Sequence, residues 1–134
     1  MKFPPFLMAI IAAAFLPQLA VAQLPTGTWK VNGNGFEGEL IINTAEGGKV
    51  EGTIYGQPLV GTYDETTKQF NFLRLQYPKD PTSFQAWKGY FFQNGSEKEV
   101  TYTIAGTILP FGAPGTHAGM LEAGWYAQLT KAKE

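Results

Sequence analysis

The chain has no cysteine, one histidine and one arginine among its 134 residues. The missing cysteine excludes disulfide staples, thiolate nucleophiles, thiolate metal ligands and a lipid anchor on cysteine. The lone histidine, His117, stands in a glycine-rich stretch, which leaves a Ser-His-acid triad or a zinc site without the company it needs. Charge is scarce as well. Ten basic residues stand against 11 acidic ones, and the lysines are scattered singly, so no basic stripe exists to track a phosphate backbone. Asp64, Glu65 and Asp80 fall in polar turns, where carboxylates are ordinarily solvated, and no calcium-loop spacing surrounds Asp80. The expectation is a non-enzymatic protein with no metal, no cofactor and no nucleic-acid partner.

Long apolar runs are missing too, with one exception at the start. Lys2 precedes an apolar run over Phe6 to Leu16, Pro17 breaks it, and Ala20-Val21-Ala22 supplies small residues for cleavage before Gln23. Residues 1–22 therefore read as a signal peptide, too short to span a bilayer comfortably, and the product is expected to be secreted or periplasmic without membrane contact after cleavage. Residues 23–134 form one domain of 112 residues, enough to bury a core by packing alone.

Within that domain, strand signals dominate. Short runs rich in Val, Ile, Thr, Tyr and Phe alternate between two faces and are separated by Gly, Asn, Asp and Pro. Eight are readable: Thr28 to Val31, Phe36 to Thr44, Lys49 to Tyr55, Leu59 to Tyr63, Gln69 to Tyr77, Ser83 to Gln93, Glu99 to Leu109 and Gly124 to Thr130. The fifth has a confused alternation at Phe72-Leu73, which predicts a bulge there. Gly56-Gln57-Pro58 reads as a turn, and Asn94-Gly95 as a two-residue hairpin. Short connections make neighbours antiparallel. The fold class is all-β, an eight-stranded antiparallel up-and-down barrel, with an open meander or a two-sheet sandwich as the alternative; the interior of such a barrel is either filled by side chains or open to one small ligand.

Gly27-Thr28-Trp29 at the first strand resembles the Gly-x-Trp opening of the calycin barrels, the lipocalins and avidins. Gly52-Thr53, Leu59-Val60-Gly61-Thr62-Tyr63-Asp64 and Ser83-Phe84-Gln85-Ala86-Trp87-Lys88-Gly89 follow in the order of the matching avidin strands, and the mature length and short turns are similar to an avidin barrel. The resemblance implies that fold and a pocket inside it. It does not imply biotin. Ile54 and Gly56 stand where avidins place a tyrosine and a serine, the seventh strand and the loop after it lack tryptophan, and no aspartate follows Trp125; only Ser83, Gln85 and Trp87 match the sixth-strand contacts.

Aromatic residues are what the domain has in abundance, with sixteen after position 22. On the sixth strand Lys88 argues for one face outward, which points Ser83, Gln85 and Trp87 inward and leaves Phe84, Tyr90 and Phe92 as a surface stripe. Asn32, Tyr63, Ser83, Gln85 and Trp87 are the expected lining of a barrel mouth for a small organic or glycan ligand, with Ser83 and Gln85 hydrogen-bonding it and Trp87 stacking on it. The alternative is a filled barrel whose Phe84, Tyr90 and Phe92 stripe contacts a partner protein or a second copy, and a distant third is a hydrolase acting through the turn carboxylates. Trp29 and Trp125 read as structural. The inward glycines Gly52 and Gly106 read as devices for curvature and close packing.

Overall fold

The computed structural model describes residues 23–75, 84–111, with backbone alone at 110 and 111, and 122–132. The predicted leader, Ser83, the loop at 77–82 and His117 lie outside these residues.

Eight strands form: β1 (Gly27–Gly33), β2 (Phe36–Thr44), β3 (Lys49–Ile54), β4 (Gln57–Asp64), β5 (Gln69–Arg74), β6 (Phe84–Gly95), β7 (Glu99–Phe111) and β8 (Ala123–Ala132). Each pairs antiparallel with the next, and β1 pairs with β8 from Lys30↔Gln128 to Gly33↔Trp125, closing an up-and-down barrel with no free sheet edge. Alternation assigns the two faces. Trp29 and Val31 on β1, Leu40 and Ile42 on β2, Val50 and Ile54 on β3, Phe70 and Phe72 on β5, and Trp125 and Ala127 on β8 are buried inside. Lys30, Glu39, Glu51 and Lys88 stand exposed on the outer wall.

Three local expectations are corrected. β5 carries no bulge, and its register with β4 and β6 runs unbroken, so Phe70, Phe72 and Arg74 all face inward while Leu73 turns to solvent. The confused alternation came from an apolar residue on the outside. The register shift instead lies on β2, between Ile42 and Thr44 opposite β3. Asn94 and Gly95 continue β6 rather than turning it, because the chain reverses at Ser96, whose N–H donates to the Glu99 carbonyl at 2.8 Å while its Oγ accepts the N–H groups of Lys98 and Glu99. The turn after β3 is Tyr55-Gly56, with φ of 50° and 76°, and Gln57 already belongs to β4.

Among the described residues the interior is closely packed. Trp29, Leu40, Val50, Ile54, Phe70, Ile104 and Ala127 have 0% of their surface accessible, so no water-sized space adjoins any of them. Seven of the eighteen buried hydrophobic residues described are aromatic, and ring packs against ring. Phe72 stacks on Trp87 at 5.3 Å between centroids, and Trp125 meets both edge-on at 5.7 and 5.2 Å. Nearer the other end, Phe91 stacks on Tyr102 and takes an edge contact from Tyr63, while Trp29 tilts against Tyr102. Leu24 is buried there, and the Pro25 carbonyl accepts the Trp29 Nε1–H at 3.2 Å, so the segment before β1 closes the base.

Glycines make the seats for these rings. Gly106 pairs with Gly89 on β6 and with Trp125 on β8. A Cβ on Gly89 would come within 2.7 Å of the Trp125 indole, which crosses the bare strands and donates its Nε1–H to the Lys88 carbonyl at 3.0 Å. A Cβ on Gly106 would meet the Lys88 backbone oxygen at 1.8 Å. Backbone cannot step aside as a flexible side chain can. Gly106→Ala is expected to destabilise the barrel by about 3 kcal/mol or more, as an overpacked core does. Gly47→Ala, with open space around it and φ of 62°, is expected to cost only about 1 kcal/mol. Urea unfolding of the two variants checks the contrast.

Candidate functional site

The end of the barrel opposite Leu24 is ringed by the Asn34-Gly35 and Tyr55-Gly56 turns and by the ends of β5, β6, β7 and β8. Here the inward face changes from apolar to polar. Arg74 follows Phe72 on the inner face of β5, Gln85 precedes Trp87 on that of β6, and Gln57 precedes Leu59 on that of β4. Arg74 Nε donates to Gln57 Oε1 at 2.7 Å, and Arg74 Nη1 donates to Gln85 Oε1 at 3.0 Å. The same Gln85 oxygen accepts the Trp87 Nε1–H at 3.2 Å. Both lone pairs of that carbonyl are thus engaged.

Tyr55 is the second part of the cluster. Its left-handed φ of 50° is unusual for a bulky aromatic residue. The conformation folds the ring over Gly38, where a Cβ would lie 2.3 Å from ring carbons, and under the Arg74 guanidinium, whose Cζ is 4.9 Å from the ring centroid. The phenol accepts the Gly33 N–H at 3.0 Å and donates to the Phe36 carbonyl. Phe36 itself is 71% exposed on the rim. Burial pulls the Arg74 pKa below the ordinary arginine value, and the nearby Tyr55 acts in the opposite sense. Within salt-bridge distance, the ion pair found among the described residues is Lys49 with Glu51 on the outer wall, not one with Arg74.

The residues expected to line the mouth part company. Gln85 is there. Trp87 lies beneath it, 2% exposed and held between Phe72, Trp125 and Tyr55, so no ligand can stack on its face. Asn32 points outward, and its Oδ1 accepts the Gly35 N–H at 2.9 Å in the β1–β2 turn. Tyr63 is 7% exposed near the base, against Phe91. Ser83 lies outside the described residues. Arg74, Tyr55, Gln57 and Phe36 take the places left. Arg74 was findable, as the only arginine, two positions after Phe72 on an apolar face; Tyr55 was hidden because a turn at Gly56-Gln57-Pro58 assigns it to β3.

A second concave surface lies on the outside. A groove of about 710 Å³ crosses the outer faces of β4 to β7, with Val60, Leu73, Ala86 and Leu109 as its apolar part and Tyr90, Lys88 and Glu122 beside them. Tyr90 and Phe92 of the expected stripe are 48% and 46% exposed, while Phe84 is half-buried. Among the described residues, no three His, Cys, Asp or Glu side chains gather where a metal ion could be held. No known protein family, curated protein or solved structure matches the chain.

Two outcomes follow for the tyrosines. Burial, then the charges of Glu65 and Asp64, raise the Tyr63 pKa above its ordinary 10.0. The folded state therefore holds that proton more tightly than the unfolded chain, so stability falls as pH rises through about 10. Tyr63→Phe is expected to flatten this fall in alkaline urea titrations. Tyr55→Phe removes the acceptor of the Gly33 N–H and is expected to cost about 1–3 kcal/mol near neutral pH, read from the urea midpoint.

Proposed function

We propose that the protein is an exported, non-enzymatic barrel that binds a small organic or carbohydrate ligand on the mouth, above the filled interior. The observation carrying this reading is the Arg74, Gln57, Gln85 and Tyr55 cluster: a half-buried cation held by neutral amides over an aromatic ring, beside the exposed Phe36. A polar, fixed group on an apolar floor is the composition of a small-molecule site. The avidin-like order of motifs supports a ligand at a barrel end, and the absence of the matching tyrosine, serine and aspartate argues against biotin. Apolar side chains inside and charges on the outer wall are the reverse of a barrel built for lipid.

A second reading takes the outer wall as an interface for another protein or a second copy. It rests on the groove over β4 to β7 and on Val60, Leu73, Tyr90 and Leu109, all apolar and exposed.

Tryptophan emission during titration with a panel of aromatic small molecules and glycans tests the first reading. At least one compound is expected to give a saturable change, and Phe36→Ala is expected to weaken it several-fold without moving the urea midpoint. A panel that leaves the emission unmoved overturns it. Light scattering tests the second: an oligomer lost in Leu109→Lys supports the outer wall, and a monomer with no partner opposes it.

A further inference from the structure

At the mouth, the groups of Tyr55, Gln85 and Arg74 that have no partner among the described residues share one property. Each is a donor. The Tyr55 hydroxyl uses both its donor and an acceptor position within the protein, and the Gln85 carbonyl accepts two hydrogen bonds. Of the five N–H groups of Arg74, Nε and one on Nη1 are engaged, which leaves three without a partner among the described residues. The Gln85 amide group carries two N–H donors of its own beside the oxygen that holds Arg74. Among the described residues no carboxylate lies within 4.0 Å of Arg74, although a half-buried guanidinium ordinarily draws one.

We infer that Arg74 receives an oxyanion, a carboxylate or phosphate group of the small ligand, with the Gln85 amide beside it as a second donor. This rests on the ligand occupying the mouth. A guanidinium presents parallel N–H groups that match two oxygens of such an anion, whereas a neutral ligand offers weaker acceptors to the same fork. The two glutamines fix the fork without neutralising it. Had either been glutamate, the site would already hold its counter-charge. Tyr55 supports the guanidinium, with Arg74 Cζ 4.9 Å from the ring centroid.

A bland role for Arg74 is a brace between β4 and β6 through Gln57 and Gln85, and the test has to separate the two. Because the chain has one arginine, the Arg74 Nε–Hε correlation is a single assigned peak in a proton–nitrogen spectrum of the unmodified domain. Benzoate, inorganic phosphate and neutral benzamide are titrated at constant ionic strength, with chloride as the reference. The expected result is a saturable shift of the Arg74 and Trp87 indole peaks with benzoate or phosphate, at least about tenfold tighter than with benzamide. Which anion binds tighter distinguishes a carboxylate ligand from a phosphate one. Arg74→Gln, checked for an unchanged strand spectrum, is expected to abolish the anion-dependent shift of the Trp87 peak. Equal response to benzamide and benzoate overturns the anion assignment and leaves the mouth as a site. No saturable response to any of the three overturns both, and leaves Arg74 as a brace.

Discussion

The barrel depends on glycine facing tryptophan. An eight-stranded cylinder encloses little more room than its own side chains occupy, and this one fills it with rings wider than the spacing between neighbouring strands. Trp125 can reach across the sheet only because Gly89 beneath it carries no side chain, and Tyr55 can fold inward only because Gly38 is bare. Glycine in a strand sacrifices packing and adds entropy to be lost on folding. The rings recover both, because each seat is filled by a neighbour's indole or phenol that also hydrogen-bonds a backbone group within reach.

That arrangement places chemistry at one end. The column of rings from Phe70 through Phe72 and Trp87 to Trp125 occupies the middle of the barrel, and the inward Arg74, Gln57 and Gln85 stand on the last rung before the mouth. The base is shut by Leu24 and by the hydrogen bond from Trp29 to Pro25. Arg74, Gln57 and Gln85 occur where inward side chains of β5, β4 and β6 first reach water, so a half-buried cation sits on a hydrophobic floor and, among the described residues, donates to amide oxygens. The same floor that excludes ligands from the interior holds the guanidinium still.

The architecture was legible because period-2 alternation and short turns survive in nearly every strand. Strand number, order and antiparallel pairing follow from those two signals, while closure, which the same signals share with an open meander, is settled by the pairing of β1 with β8. The site was legible only in part. Gln85 and Trp87 were read on the correct face, but whether an inward tryptophan lines a space or fills it depends on side chains from other strands, here Phe72, Trp125 and Tyr55. Asn32 is polar and near a turn, yet a short amide serves its own backbone before it serves a ligand. Tyr63 is a phenol on an inward face, and distance along the barrel decided its role. Arg74 was obscured by one exposed leucine, Leu73, which made a regular strand look irregular.

The closeness of Trp87 and Trp125 has an optical side. Two indoles in edge contact at 5.2 Å, in turn packed against Phe72, are near enough for their electronic transitions to couple. Their combined circular dichroism then belongs to the pair and not to either ring alone. The strands that bear them, β6 and β8, are joined only through β7, whose glycine lies between. The molecule thus carries its own spectroscopic gauge of whether three neighbouring strands remain in register, built from the same rings that close its interior.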